Sequence, residues 1–388
     1  MPFSASRTRR DPRCANPWTP AALRGFAVAM ITGDHPETAR AIADEIGLRG
    51  PDDPVLVGRD LPDDEALLGA TLDHDGVVVA RVSPEDKLRI ARALQRRGHV
   101  VAMTGDGVND GPALQEADIG IAMGRSGTDV AREASDVVLL DDHFATIVTA
   151  VFHGRATFSN IRHFVTYHLT DNVAELTPFL IWALSGGRFP LALTVMQVLA
   201  LDIGTDTLPA VALGAEPPNR SVGQSRPAKG RFLDRTVATR AFGVLGPTEA
   251  VVEMAAFLAV FVAAGWRPGD PFPSGSVLLG ASGAAFAAVV LGQSANAFAC
   301  RSSERWAGAM GWRSNPLLLW AVAFELTAAA AFVFVPPAAD LLRQQPAPAI
   351  GWIIALVAAP AVIAVDALHK RIARSGAALT DPAGSAGA

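Results

Sequence analysis

Six apolar stretches in the second half of the chain limit what this sequence can fold into. They cover approximately residues 161–185, 189–213, 238–265, 276–299, 316–336 and 349–368. A helix of about 20 apolar residues is long enough to cross the hydrocarbon core of a bilayer. Half of the 388 residues are hydrophobic and the mean hydropathy is +0.28, which is too apolar for an ordinary soluble protein of this length. The sequence therefore predicts an all-α transmembrane bundle of six helices over residues 159–375.

The first part of the chain has a different composition and predicts a soluble α/β domain over residues 25–158. Short apolar runs typical of buried parallel strands alternate there with helical patterns, so we expect a parallel, doubly wound sheet. The runs lie at residues 26–31, 77–80, 98–103, 118–123 and 136–140, with helices at 36–46, from Ser83 onward and at 110–116. Residues 1–24 form an unassigned basic segment, and residues 376–388 are expected to be a disordered tail.

Charge and cysteine content exclude several classes of function. The formal net charge is only −5 and no basic block is present, so nucleic acid is not an expected partner. The two cysteines, Cys14 and Cys300, lie far apart and indicate neither a disulfide framework nor a zinc site. Free cysteines are typical of proteins exposed to a reducing cytoplasm.

The most specific motif is Met103-Thr-Gly-Asp-Gly-Val-Asn-Asp110, which directly follows a predicted strand. Open α/β sheets carry their binding sites outside the carboxyl ends of strands, which is where Asp106 and Asp110 lie. Two carboxylates in such a loop suit Mg²⁺ together with a phosphate, and the Asn109 amide can donate to a phosphate oxygen. The sequence therefore predicts a magnesium-phosphate site.

A second loop of the same kind follows the first predicted strand. Thr32, Gly33 and Asp34 lie between that strand and the beginning of the helix at 36–46, an arrangement that favours phosphate binding. Farther along, Ser83 and Pro84 predict the beginning of a helix whose first turn contains Lys87. Taken alone, Lys87 is also compatible with an ordinary solvated position.

Ionisable residues inside the predicted spans indicate function, because charge in a membrane is costly. They are accompanied by amides and a hydroxyl: Asp171, Asn172 and Glu175 in the first span, Asp202, Thr205 and Asp206 in the second, Glu249 and Glu253 in the third, and Gln293 and Asn296 in the fourth. Gly204 and Pro209 weaken the second span, so backbone carbonyls are expected to be available to an ion. Together these groups predict a site for a hard cation. Asp171, Glu249 and Glu253 are equally compatible with a polar vestibule.

The basic residues between the spans predict the orientation of the bundle. They are concentrated in three connections, namely Arg220, Arg226, Lys229, Arg231 and Arg235 after span two, Arg301, Arg305 and Arg313 after span four, and Lys370, Arg371 and Arg374 after span six. The positive-inside rule then places the soluble domain and the C-terminus in the cytoplasm. We expect a multi-pass protein of the plasma membrane.

These motifs together resemble the P-type cation-transporting ATPases, and specifically their calcium-pump-like branch. The resemblance covers residues 25–375 and is carried by Met30–Asp34, Arg81–Lys87, Met103–Asp110, Asp118–Gly124, Leu201–Pro209 and Gly292–Ala297. It implies a haloacid-dehalogenase-like phosphorylation domain, present in part, followed by the membrane bundle. It also implies ATP as substrate and Mg²⁺ as cofactor.

The resemblance further implies a role for each matching residue. Asp106 is expected to bind Mg²⁺ with Asp110 supporting the same pocket. The residues that would hold the phosphoryl group are Thr32, Gly33, Lys87 and Asn109, with Asp34 and Arg81 near the nucleotide. The positions that match the transported-ion site are Asn172, Glu175, Asp202, Thr205, Asp206 and Gln293.

The sequence departs from this family in one chemically decisive respect. The phosphorylated Asp-Lys-Thr-Gly sequence of the family is absent, and the only Asp-Lys pair, Asp86-Lys87, is followed by Leu88. Without a nucleophile no covalent phosphoenzyme forms. We therefore expect a truncated pump, or one half of a split pump whose partner chain supplies the missing half. The alternatives are a non-catalytic membrane protein that binds Mg²⁺ or cations, a gene remnant, or a membrane-anchored phosphatase.

Overall fold

The computed structural model describes residues 26–50, 53–217 and 232–380. The basic N-terminal segment and the basic residues Arg220, Arg226, Lys229 and Arg231 lie outside these ranges. Among the described residues, the chain divides into two compact units, the first ending at Arg155 and the second beginning at Ala156.

The described residues of the first unit form six short parallel strands. They are β1 (Met30–Ile31), β2 (Val55–Val57), β3 (Val78–Ala80), β4 (Ala102–Gly105), β5 (Ile119–Met123) and β6 (Val137–Leu139). They form two three-stranded sheets, ordered β1-β3-β2 and β4-β5-β6. The expected parallel α/β domain is confirmed, and among the described residues β1 and β4 are both outer strands that do not pair with each other.

Five helices accompany these strands: α1 (Pro36–Ile46), α2 (Glu65–Leu72), α3 (Pro84–Arg96), α4 (Gly111–Glu116) and α5 (Asp129–Glu133). The end of α1 follows from its sequence, since Gly47 adopts a left-handed conformation (φ 69°) that favours glycine. Helix α3 begins with a capping box, in which Ser83 and Asp86 satisfy each other's backbone N–H groups. Both helices therefore begin and end where local chemistry predicts.

A helix of 41 residues, α6 (Phe144–Leu184), continues from the first unit into the second. It merges the predicted cytoplasmic helix at 147–158 with the first predicted span. The remaining helices are α7 (Val195–Leu201), α8 (Thr207–Gly214), α9 (Arg235–Arg240), α10 (Gly246–Ala263), α11 (Ser276–Cys300), α12 (Pro316–Phe334), α13 (Pro336–Leu342), α14 (Ala349–Ala355) and α15 (Ala358–Thr380). Helix α15 extends through Thr380, and the rest of the expected tail, residues 381–388, lies outside the described residues.

Five helical segments among the described residues are long and apolar enough to cross a membrane. They are Val195–Gly214, Arg235–Ala263, Ser276–Cys300, Pro316–Phe334 and Ala349–Ser375, which correspond to predicted spans two to six. The first predicted span lies within α6 and is not among the five. Its apolar sequence is interrupted by Asp171, Asn172 and Glu175, which lower its mean hydropathy.

The interior of the helical unit is built around α11, which packs on α10 and α15. Small residues dominate its buried positions, and large aromatic side chains such as Phe257, Phe261 and Phe286 fill the remaining space. Alanine and glycine allow helices to approach closely, as is typical of membrane bundles.

One buried ion pair and two hydrogen bonds of a buried lysine connect the ends of three different spans. The Arg301 guanidinium, just after α11, donates to Glu216, just after α8, with a distance of 2.6 Å. Lys370 on α15 donates to the Ala299 carbonyl (2.9 Å) and the Arg305 carbonyl (3.0 Å). Predicted spans two, four and six therefore end on the same side of the helical unit.

Candidate functional sites

The loop after β4 is organised by the buried carboxylate of Asp110. One Asp110 oxygen accepts the backbone N–H groups of Asp106 (3.2 Å) and Gly107 (3.1 Å), and the other accepts the Lys87 ammonium. The backbone carbonyl of Asp106 accepts from the Thr128 N–H (2.9 Å), which holds the other side of the loop. Both oxygens of the Asp110 carboxylate therefore accept hydrogen bonds from within the protein.

Asp106 and Asn109 have the opposite character. Both are exposed, and within the described part of the chain neither side chain has a hydrogen-bond partner. A carboxylate and an amide are thus available at the carboxyl end of β4. This is where the sequence predicted a metal and a phosphate to bind.

Glycine at position 105 is required by the position of Asp110. A Cβ atom at Gly105 would lie 2.5 Å from the Asp110 Cβ and 2.8 Å from its Cγ. Real Cβ contacts are not this short, so any larger residue displaces the Asp110 side chain. The motif's first glycine therefore provides space for the carboxylate that holds the loop.

The second loop, at the end of β1, is held by a local turn. The Thr32 hydroxyl donates to the Asp34 carboxylate (3.0 Å) and accepts the Asp34 N–H (3.1 Å). The Asp34 carbonyl accepts the Arg81 N–H (3.1 Å), and the Thr32 carbonyl accepts the Val82 N–H (3.2 Å). Arg81 has a positive φ of 54°, which is uncommon for a residue other than glycine.

The structure thus brings the predicted phosphate-site residues into two groups. Thr32, Gly33 and Asp34 lie beside Arg81, whereas Lys87 lies against Asp110. The two groups are connected through α3, which begins directly after Val82 and contains Lys87 in its first turn. Within the described residues, no hydrogen bond joins Thr32 or Asp34 directly to Asp106.

The donor set at Asp106 fits Mg²⁺. This ion is commonly held by one or two carboxylates, with water and substrate phosphate completing its octahedron. No group of three or more His, Cys, Asp or Glu side chains in the described ranges is arranged to hold a metal ion. One free carboxylate at a phosphate loop is consistent with an ion that arrives with its phosphate.

A third carboxylate, Asp142, fixes the loop after β5. Its two oxygens accept the backbone N–H groups of Gly124 (2.7 Å), Arg125 (3.0 Å) and Ser126 (2.8 Å). These bonds, that of Arg125 above all, lower the pKa of the Asp142 carboxyl from its ordinary value. Neither Asp142 nor this interaction was singled out from the sequence, although Asp in a left-handed turn (φ 56°) is a recognised pattern.

In the second unit, buried acids and amides pair between helices. The Gln293 amide on α11 donates to Glu175 on α6 (2.9 Å), and the Asn296 amide donates to Asp171 (2.9 Å). Each of these four side chains is at most 2% exposed. The structure therefore joins predicted spans one and four through polar contacts in an apolar interior.

The second predicted span is not a continuous α-helix. Residues Asp202–Asp206 form a π-helical segment between α7 and α8, where the sequence had predicted a weakened helix. The Thr205 hydroxyl donates to the Leu201 carbonyl (2.8 Å), and the Thr207 hydroxyl donates to the Asp202 carbonyl (2.7 Å). Short π-helical segments occur frequently at functional sites.

The predicted ion-site residues differ in burial. Glu175, Thr205, Asp206 and Gln293 are buried, whereas Asn172 and Asp202 are half-buried. The Asn172 amide donates to the His168 carbonyl of its own helix (2.8 Å), so that amide is used locally.

Two further residues join this polar group and were missed from the sequence. His168 lies 2.9 Å from the Asp206 carboxylate, and Glu325 is fully buried in the middle of α12. An acid within an apolar span is itself a signal of function, so Glu325 was recognisable. The His168 contact depends on the packing of two helices and has no sequence signal.

Comparison with known proteins identifies relatives over most of the chain. Residues 190–372 match a family described as "Cation transporting ATPase, C-terminus", and residues 19–118 match "haloacid dehalogenase-like hydrolase". The sodium/potassium-transporting ATPase subunits alpha-3 of Homo sapiens and alpha-2 of Rattus norvegicus are both 32% identical to the chain. Each alignment covers 94% of this chain and 41% of the relative. These matches do not confirm the calcium-pump-like branch that the motifs suggested.

Proposed function

We propose that the chain is a fragment of a P-type cation-transporting ATPase and forms the C-terminal part of a pump that couples ATP hydrolysis to cation transport across a membrane. The chain spans 41% of the length of the curated relatives that it matches. One observation carries the proposal: a single chain combines a phosphate-type loop, in which the exposed Asp106 and Asn109 side chains have no hydrogen-bond partner within the described residues, with buried acid–amide pairs between apolar helices. A pump needs both parts, one for phosphoryl transfer and one for the ion.

In this proposal the first unit, with the loops after β1 and β4, carries out phosphoryl transfer. Asp106 would hold Mg²⁺, which neutralises negative charge on the transferring phosphoryl group. Asp110 keeps the Asp106 backbone and Lys87 in place. The remaining donors to the phosphoryl oxygens would be Thr32, Gly33, Lys87 and Asn109, with Asp34 and Arg81 towards ATP.

The aspartyl nucleophile must come from outside these 388 residues, since no Asp-Lys-Thr-Gly sequence is present. The two sheets of the first unit support this idea. Both predicted phosphate loops follow outer strands, β1 and β4, whose outer edges are not paired within the described residues. A parallel strand ending in the nucleophile, added to these edges, would place an aspartate beside both loops.

The second part would bind the transported cation. Asn172, Glu175, Asp202, Thr205, Asp206 and Gln293 would supply carboxylate, amide and hydroxyl oxygens. These are the ligands that hard cations prefer. The π-helical segment and the predicted role of freed carbonyls are consistent with such a site.

The protein is a membrane protein, and the finer location is part of the proposal. We place it in the plasma membrane, with the soluble unit and the C-terminus in the cytoplasm. The contacts of Arg301 with Glu216 and of Lys370 with the Arg305 carbonyl support this topology. These contacts join the ends of spans two, four and six, which precede the basic stretches of the sequence, and such an arrangement is consistent with the positive-inside rule.

Phosphorylation by radiolabelled ATP tests the proposal. The chain should form no acid-stable phosphoenzyme alone, and should support labelling of a co-expressed segment that carries Asp-Lys-Thr-Gly. Asp106→Asn should abolish that labelling, while Asp75→Asn, in the same unit but away from both loops, should preserve it. If the complemented wild-type chain gives no label but still binds cations, the alternative of a non-catalytic cation-binding membrane protein is correct.

A further inference from the structure

Two glutamates on α10 stand apart from the proposed ion site. Glu249 and Glu253 are 2% and 0% exposed and lie one helical turn apart, so they share a face of the helix. All four of their carboxylate oxygens are buried, and none has a hydrogen-bond partner within the described residues. No other predicted site residue lies on this helix.

Their surroundings show how the chain makes room for them. A Cβ atom at Gly292 of α11 would lie 3.2 Å from the Glu249 Cγ and 3.4 Å from its Cδ. Glycine at this position therefore allows the Glu249 side chain to lie against the α11 backbone. The next residue, Gln293, donates to Glu175. Glu249 thus packs on the turn of α11 that holds a predicted ion ligand.

The charges around this pair are mostly negative. The charged groups that act on the pair are Asp171 and Glu175 on α6, Asp206 at the π-helical segment and Glu325 on α12, while Cys300 at the end of α11 lies among Glu249, Arg240 of α9, and Asp366 and Lys370 of α15. Arg240 and Lys370 both pair with Asp366, at 2.7 and 2.5 Å. Helix α14, which also packs on α10, has no titratable side chain. No described cation is therefore placed to neutralise Glu249 or Glu253.

A buried carboxylate with neither a donor nor a counter-ion is strongly unfavourable in its charged form. Binding a proton to one oxygen removes the charge and creates an O–H donor. A metal ion would need further ligands, and the described residues contain no cluster of three His, Cys, Asp or Glu side chains arranged to hold one. The proton is therefore the ligand that this pair can accommodate.

We propose that Glu249 and Glu253 form a proton-binding site, separate from the proposed cation site and adjoining it through Gly292 and Gln293. Each carboxylate binds one proton at neutral pH. The site depends only on the burial of these two side chains, so it stands or falls independently of the proposed pump activity. Its place beside the Glu175-binding turn makes it suited to release a proton when the neighbouring charge changes.

Infrared spectroscopy of the purified full-length chain in lipid nanodiscs tests this proposal without ATP. Protonated carboxyl groups give a C=O stretching band that shifts in heavy water, and carboxylates do not contribute to it. At pH 7, Glu249→Gln and Glu253→Gln should each reduce the band by the intensity of one carboxyl group, and the double variant by two. Glu304→Gln, at an exposed position, is the matched control and should leave the band unchanged.

A band that is unchanged in the double variant would show that both groups are ionised and would overturn the proposal. So would loss of the Glu249 and Glu253 contributions on adding NaCl or KCl at constant pH, because the pair would then bind metal cations. Dicyclohexylcarbodiimide, which modifies protonated carboxyl groups in apolar surroundings, extends the test to the wild-type chain if a variant fails to fold. Mass spectrometry should find the adduct on Glu249 or Glu253, and its absence from both contradicts the proposal.

Discussion

The Lys87 ammonium donates to the Asp110 carboxylate, and this contact ties helix α3 to the loop after β4. Asp110 in turn accepts the backbone N–H groups of Asp106 and Gly107. One carboxylate therefore connects the chain segment that follows β3 with the loop that presents Asp106. The geometry of the proposed magnesium site depends on this contact.

Replacing Lys87 by Met should loosen the loop after β4. The Asp110 carboxylate would keep its two backbone donors but lose its cation, at a cost of about 1–3 kcal/mol. Hydrogen exchange of the full-length chain should show faster exchange at the Asp106 and Gly107 amides. Arg92→Met is the control. Arg92 lies on the same helix as Lys87 and pairs with Glu116 of α4 (3.0 Å), so its replacement should leave these amides unchanged. Equal exchange in both variants would mean that the ammonium does not hold the loop.

Gly105→Ala adds only a methyl group, but it should disturb the loop after β4. The added methyl group would lie 2.5 Å from the Asp110 Cβ, so the carboxylate has to move away from the Asp106 and Gly107 amides. Overpacking of this kind typically costs about 1–3 kcal/mol. The exchange of these two amides should accelerate as it does in the Lys87 variant. Gly154→Ala is the control, because a Cβ atom at Gly154 has free space and the backbone there is not strained. Gly98, which precedes the same strand as Gly105, also has free space around a Cβ atom, but its positive φ of 85° would strain an alanine, so it is less suitable.

Acid should open the loop at residues 124–126 because of Asp142. Its pKa is lowered in the folded state, chiefly by the Arg125 N–H, so the charged form is the one that binds the loop. The stabilisation is therefore complete above the pKa of an unfolded aspartate and is lost as the pH falls through the lowered folded value. Asp142→Asn should remove this pH dependence from the exchange of the Gly124, Arg125 and Ser126 amides. Unchanged dependence in the variant would assign it to another group.

Local chemistry explains why helices α1 and α3 were predictable, whereas α2 and α5 were not predicted. Ser83 caps α3 and Gly47 ends α1 through bonds with residues a few positions away. The Met103–Asp110 motif likewise fixes its own loop, apart from the contacts with Lys87 and Thr128. Such features need only neighbouring residues, so the sequence contains their cause.

The division into two sheets and the pairing of buried polar groups could not be read from the chain. Whether β1 and β4 pair depends on the strands that surround them, and β2 (Val55–Val57) is too short to give a clear alternation. The contacts of Gln293 with Glu175 and of His168 with Asp206 join residues that are far apart in sequence. Residues that look equivalent in the sequence also differ in their burial. Asp206 is buried, whereas Asp202, on the same helical face, is half-buried. Helix packing, which a pattern of polar residues does not specify, decides these points.

The contact between Glu175 and Gln293 gives the sharpest test of the proposed cation site. Glu175→Gln replaces a carboxyl ligand by an amide while keeping the shape of the side chain, and Asp206→Asn does the same beside the π-helical segment. In the chain complemented by an Asp-Lys-Thr-Gly segment, either change should weaken the cation dependence of phosphoenzyme formation at least tenfold, or about 1.4 kcal/mol. Membrane insertion should be retained, because a neutral amide of the same shape can be buried where the carboxyl group was.

Gln293→Leu tests the same site from α11. It deletes the donor to Glu175 and leaves that carboxylate unpaired, so it should alter cation affinity without changing the net charge. Thr327→Val, at an exposed position of α12, is the matched control because its hydroxyl bonds only to the Ala323 carbonyl of its own helix. Should Glu175→Gln, Asp206→Asn and Gln293→Leu all keep the cation affinity of the Thr327 variant, these residues lie outside the transport site. The acid–amide pairs would then serve only to pack α6 against α11.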